Sequence, residues 1–277
     1  MKRWSMALRH GEGRVGAVLV LVLLLASVAA PLITAHDPIA QLDLEGARLL
    51  APSLAHPFGT DELSRDVLSR ILYGGRISLT IAVLAVAVSL VVGTTVGLVA
   101  GMSGGLLDVV LMRCVDAALA VPRLLLLLVI VGLWGSVNVA VLIAILGLTS
   151  WFDTSRLVRA EVLSLRTRDY VLAARALGLS TRALLARHVL PNVMEPITVA
   201  ATLGVGQIVL IEAGLSFLGV GVRRPVPSWG MMIAESQELM VTAPWTAAFP
   251  GLAVVLTVVA FSLLGDGLRT AMDPKRS

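Results

Sequence analysis

Long apolar runs without a single charge dominate this chain. No Asp, Glu, Lys or Arg lies between Arg14 and Asp37, between Arg76 and Asp108, between Arg123 and Asp153, or between Glu238 and Asp266. Each run exceeds the ~20 apolar residues that cross the hydrocarbon core of a bilayer. With no water to satisfy the backbone there, only helices or closed barrels can cross. The apolar positions are continuous rather than alternating, which selects helices. The pattern predicts an all-α, polytopic membrane protein.

Four spans stand out, near 15–35, 77–101, 193–221 and 243–265. The stretch 124–152 reads either as one long helix or as two helices broken around 132–138. Charge decides between them. Lys2, Arg3, Arg9 and Arg14 face only Glu12 at the start of the chain, and 155–192 sets seven arginines against Glu161 and Asp169. Positive charge gathers on the cytoplasmic side, so an even number of crossings separates these two segments. Helices at about 110–133 and 139–157 satisfy that parity. Six spans result, with both termini cytoplasmic.

The expected organisation is a cytoplasmic N-terminus at 1–14, a first span at 15–35, an extracytoplasmic loop at 36–75 and a core of five spans at 76–265. The core carries a cytoplasmic loop at 158–192 and an outer loop at 222–242, and a cytoplasmic tail follows at 266–277. Residues 1–35 also imitate a secretory leader, but the uncharged run is too long for a leader core, which favours a span. In the third helix, Arg113 and Asp116 stand three residues apart and are expected to pair.

Composition adds exclusions. The chain is 57% apolar and 14% charged, with a mean hydropathy of +0.91; soluble domains carry about a quarter charged residues. The net charge of +4 reflects the sidedness of the arginines and does not call for a nucleic-acid partner. Lys2 and Lys275 are the only lysines, so no Gly-Lys-Ser/Thr phosphate loop exists. A motor driven by ATP would have to be another polypeptide. Cys114 is the only cysteine, which excludes an internal disulfide and a cysteine-based zinc site. His36 and His56 flank an acidic loop without ligand spacing and read as loop residues. No catalytic or metal-ligating constellation is expected.

Two features inside the spans call for a role. Glu212 falls near the middle of the fifth span, where a charge costs about 2.5–3.5 kcal/mol and should meet a cavity or a partner. It is a candidate for the translocation path, the other readings being a structural pair with an arginine or a protonated, hydrogen-bonded acid. Gly93, Gly97 and Gly101 form overlapping Gly-x-x-x-Gly steps that allow close helix packing, inside the subunit or at a dimer seam.

The most informative segment is RDYVLAARALGLSTRALLARHVLPN at 168–192. Helix formers fill 170–177, and Gly178 suits the left-handed position that ends a helix. Ser180 or Thr181 can cap a second helix, which should stop before Pro191. A short, partly apolar helix pair on the cytoplasmic side either lies on the membrane surface or docks a soluble partner.

These residues carry a resemblance. Ala173, Ala174, Gly178, Leu190 and Pro191 are spaced as in the EAA loop of binding-protein-dependent ABC importer permeases. The run HPFGTDELSRDVLSR at 56–70, AGLSFLGVGV at 213–222, PSWG at 227–230, GDGLR at 265–269 and DP at 273–274 resemble the dipeptide, oligopeptide and nickel subfamily, in its second ("C"-type) permease. The resemblance implies a type I ABC importer permease fold in the cell inner membrane. It implies a heterodimer with a second homologous permease, two cytoplasmic ATP-binding subunits and an extracytoplasmic substrate-binding protein, with lipid around the spans. The chain itself would bind no cofactor, ATP and Mg belonging to the partner subunits. Tyr170, Leu172, Ala173, Ala174, Gly178, His188, Leu190 and Pro191 would form the loop that couples to the ATPase. Leu172 departs from the family, which places Glu there. The substrate would be a di- or oligopeptide, nickel or glutathione. A self-contained secondary transporter is the alternative reading; it would show paired charges in several spans and an inverted repeat.

Overall fold

The computed structural model describes residues 11–43, 46–134, 137–222 and 224–272. The cationic residues Lys2, Arg3, Arg9 and Arg223, and the 273–274 pair, lie outside the described residues. The fold is a bundle of helices: α1 (Gly11–Val28), α2 (Ala30–Ile33), α3 (Val67–Ser103), α4 (Gly105–Leu119), α5 (Arg123–Trp134), α6 (Val139–Arg166), α7 (Asp169–Ala176), α8 (Thr181–Leu184), α9 (Leu190–Phe217), α10 (Trp229–Glu235) and α11 (Trp245–Met272). Among the described residues the β-structure is an isolated bridge that pairs Thr60 with Asp66. Among them five helices are long and apolar enough to cross a membrane, α8 and α9 counting as one, and the bent pair α4–α5 brings the number to six if it is counted as one span.

The third crossing differs from expectation. It is not one helix at 110–133 but two segments bent by 84°. Pro122 explains the bend, because it offers no N–H to the preceding turn and its ring excludes a straight helix. The break expected around 132–138 is present, and the Asn138 side chain caps α6 by accepting from the Val141 amide at 2.9 Å. The ion pair expected within the third helix is replaced by one between helices, Asp116 with Arg156 at 3.9 Å.

The outer segments are more ordered than a loop. Residues 67–75 belong to α3, whose start is fixed by the Asp66 carboxylate accepting from the Ser69 amide at 2.8 Å. The segment expected as an outer loop at 222–242 contains α10, capped by Ser228. The Trp229 indole N–H of α10 donates to the Ile71 carbonyl at 2.9 Å, and its amide donates to the Ser78 hydroxyl at 3.1 Å. Both bonds seat α10 on α3. A buried ionic cluster sits beside them: Arg70 Nη1 bridges Asp61 at 2.5 Å and Glu235 at 2.8 Å, and Arg65 reaches the same two carboxylates.

Packing in the body follows small residues. A Cβ added at Gly97 would stand 2.6 Å from the Ser155 carbonyl, one at Gly93 2.6 Å from Thr154 Cβ, and one at Gly101 2.7 Å from Val162 Cβ. All three glycines therefore face α6 of the same chain, and α3 lies directly on it. A Cβ at Gly16 would meet the Leu264 amide at 2.3 Å, which places α1 in contact with α11. The main core gathers Leu79, Ile81, Leu127, Leu146, Ile208 and Phe261 from α3, α5, α6, α9 and α11.

Candidate coupling site and polar cavity

Two short helices lie at the C-terminal ends of α3 and α6. Helix α7 ends in Gly178 at φ +83°, with the Leu179 amide donating to the Ala174 carbonyl and the Gly178 amide to the Arg175 carbonyl. This paired closure leaves glycine in the one conformation that other residues adopt only with strain. The Ser180 hydroxyl then caps α8, accepting from the Ala183 amide.

The second helix does not stop before Pro191. A π-turn at Leu185–Val189 widens the helix by one residue, and the Leu190 amide donates to the Leu185 carbonyl. Pro191 follows as the second residue of α9, directly after the π-turn, which is where the continuous helix takes in a residue that offers no N–H. The Asn192 side chain donates to the His188 carbonyl at 2.6 Å. The helix thus runs from Thr181 to Phe217 without an unstructured break.

The two alanines of α7 part company. Ala174 is 8% exposed and packs with Val171 and Leu184 against Leu179 and Met102, whereas Ala173 is exposed. Small size at Ala174 serves the internal join between α7, α8 and the end of α3. Beside Ala173, Tyr170 is 45%, Leu172 49% and Leu177 83% exposed. Arg168, Arg175, Arg182 and Arg187 lie on or beside the same two helices and are exposed. A contiguous apolar face ringed by cations is the form of a contact surface rather than of a solvated loop. The Tyr170 ring lies 6.1 Å from that of His188, which ties α7 to the π-turn. Leu190 and Pro191 are exposed at the base of α9.

The join to the body is short. Met102 packs on the α7–α8 cluster and on the cluster of Val158, Val162, Val189 and Val193. The Arg166 guanidinium donates to the Gly101 carbonyl at 2.7 Å. Arg159 holds Asp108 of α4 through two bonds, at 2.5 and 2.7 Å. Met102 is thus the side chain shared between the α7–α8 cluster and the packing of α6 on the start of α9.

Within the spans, a cavity of about 310 Å³ is lined by Arg123, Ser150, Asp153, Thr154, Gln207 and neighbouring apolar residues. Arg123 donates to Ser150, while its Nε is buried without a partner. Sequence reasoning passed over these residues; the signal was that Arg123 and Asp153 bound one uncharged run on facing helices. Glu212 is elsewhere. It is 0% exposed and its Oε1 accepts from the Ser216 hydroxyl at 2.9 Å and the Ser228 hydroxyl at 3.1 Å. That geometry joins α9 to the start of α10.

A family model described as the inner membrane component of binding-protein-dependent transport systems matches residues 93–277, which include the whole α7–α9 region. The chain belongs to that family. Relatives cover the permease almost end to end. A dipeptide transport system permease of Alkalihalophilus pseudofirmus is 41% identical over 94% of this chain and 85% of its own length. A glutathione transport system permease of Pectobacterium atrosepticum is 40% identical over 98% and 90%. A di/tripeptide transport system permease of Pseudomonas aeruginosa is 39% identical over 99% and 92%. The fold matches a solved chain of an amino acid ABC transporter with a TM-score of 0.56, at 18% identity, over 73% of this permease and 94% of that chain. The protein is thus an inner-membrane subunit of an ABC importer, a class that works with ATPase and substrate-binding partners.

Proposed function

We propose that this permease conducts short peptides or peptide-like molecules such as glutathione, as one half of a heterodimer with a second homologous permease. Two ATP-binding subunits, which hold ATP and Mg, dock on the arginine-rich side, and a substrate-binding protein docks on the face bearing α10. The observation that carries the reading is the set of exposed apolar side chains on α7, whose buried side packs on Met102 at the end of α3. A partner that grips this face pulls α3, α6 and α9 together, which is what alternating access demands of a coupling element. The substrate class is supported by the dipeptide, di/tripeptide and glutathione permeases that match nearly the full chain.

The cavity at Arg123 and Asp153 is the candidate for the pathway, since it places a cation and an acid in a space open between helices. Glu212, sealed among serines, acts as an internal anchor. Leu172 adds apolar area to the docking face where a carboxylate would have added charge, so the ATPase groove should be apolar opposite it.

The test is uptake of a labelled dipeptide into proteoliposomes holding this permease, its partner permease, both ATPases and the binding protein. Uptake should require ATP on the ATPase side and cease when the ATPase subunits are withheld. Uptake sustained by an ion gradient with no ATPase present would overturn the reading.

A further inference from the structure

On the face opposite the arginine-rich loop, the fold collects side chains that are far apart in sequence. His36 follows α2, His56 lies in the turn before α3, and Asp66 caps α3. One potential donor atom from each lies within 4.8 Å of the other two. His56 Nδ1 stands 3.0 Å from Asp66 Oδ1, and the two imidazole centroids are 5.3 Å apart. The His56–Asp66 and ring-centroid spacings are close to those of a metal shell, and the wider donor limit of 4.8 Å leaves His36 a side-chain rotation to complete it. With Zn–N at about 2.0–2.1 Å, tetrahedral donors stand roughly 3.3 Å apart, and the centroids of two coordinating imidazoles roughly 5.2 Å apart.

The framework around the three side chains is built before any ion arrives. Asp66 spends its other oxygen on the Ser69 amide, which fixes the carboxylate. The Thr34 hydroxyl bonds that of Ser69 and accepts from the His36 amide at 3.2 Å, so the backbone at His36 is pinned to the first turn of α3. The Ser53 hydroxyl accepts from the His56 amide at 3.2 Å. His36 also lines an open cavity of about 650 Å³ with Asp37, Tyr73, Arg76 and Pro227, which supplies a route for a hydrated cation and room for a fourth ligand.

We propose that His36, His56 and Asp66 form a binding site for a divalent transition-metal ion of the zinc type. Two imidazoles and one carboxylate favour zinc-like ions over magnesium or calcium, which prefer oxygen throughout. The ion takes its place between His56 Nδ1 and Asp66 Oδ1, displacing the proton they share, and His36 closes toward it by a side-chain rotation. Bound there, it joins three separate segments at the start of α3 and stiffens the surface beside α10.

The test is calorimetric titration of Zn²⁺ into the chelator-washed full-length permease in nanodiscs, with hydrogen exchange of residues 36–60 followed in parallel. Four histidines occur in the whole chain, so background is low. Wild type should bind one Zn²⁺ saturably and slow exchange in 36–60. His36→Ala should weaken binding at least tenfold, because it removes one of the three ligands. Asp66→Asn should do the same while keeping α3 capped, since Asn caps as well as Asp. His188→Ala should leave the titration unchanged. Equal affinity in wild type and His36→Ala, or loss of binding in His188→Ala alone, would overturn the proposal.

Discussion

Ala173 and Ala174 are neighbours that the fold assigns to opposite surfaces, so enlarging each should fail in a different way. Ala174→Leu pushes extra carbons into the small cluster of Val171, Leu184, Leu179 and Met102. Overpacking of a filled site costs about 1–3 kcal/mol. This small cluster joins α7 to α8, so little surrounds it to absorb the strain. A cost of that size lowers the population of the docked arrangement by roughly 5–150-fold. Ala173→Leu adds the same carbons to solvent and leaves the loop intact, but it stands in the face offered to the ATPase. Limited proteolysis of the permease alone and capture of the ATPase subunits separate the two effects. Ala174→Leu should speed cleavage within 168–190 and weaken capture together; Ala173→Leu should weaken capture with cleavage unchanged. Wild-type proteolysis for Ala174→Leu would refute the inward assignment of that side chain. Full capture by Ala173→Leu would remove the exposed face of α7 from the interface.

Other positions give independent checks. Gly178→Ala meets no atom within 4 Å, so its cost is the left-handed backbone alone, about 1–2 kcal/mol; it should loosen 168–190 in hydrogen exchange without lowering the melting temperature of the spans. Gly97→Ala drives a Cβ against the Ser155 carbonyl and should lower the melting temperature measurably, whereas Gly132→Ala, with nothing within 4 Å, should not. Arg70 is 2% exposed and shares Asp61 and Glu235 with Arg65, so Arg70→Met should destabilise in denaturation assays by less than the about 3–5 kcal/mol of a fully uncompensated buried charge. Removing the exposed Arg48–Glu62 pair should cost about 0–1 kcal/mol. Glu212→Gln keeps an oxygen for Ser216 and Ser228 and should assemble and transport normally; reduced transport by a normally assembled variant would return Glu212 to the pathway.

What the sequence made legible is what local chemistry controls. The spans follow from uncharged length, the left-handed Gly178 from a helix former run ending at glycine, and the cap at Ser180 from its hydroxyl. The bend at Pro122 was open to the same reasoning but hidden by the apolar run on either side of it. At Pro191 the rule that proline stops a helix lost to a π-turn, which shifts the register by one residue and rehouses the ring. Long-range partners left no trace in a single sequence. Arg70 meets Glu235 across 165 positions, and the inward turn of Ala174 depends on Leu184 and Met102, which nothing local specifies. His36 and His56 read as loop residues for the same reason: a chain contact through Thr34 and Ser69 brings them together.

Helix α3 has 37 residues, which at 1.5 Å per residue makes it about 55 Å long, against about 30 Å of hydrocarbon. Tilt alone does not absorb such an excess, so the rod stands clear of the lipid. Its first turn bears Asp66 and Arg70, and its last bears Gly101 and Met102. No proline or gap lies between them to take up movement. One continuous helix therefore joins the ionic cluster around Arg70 to the packing of Met102 beneath α7.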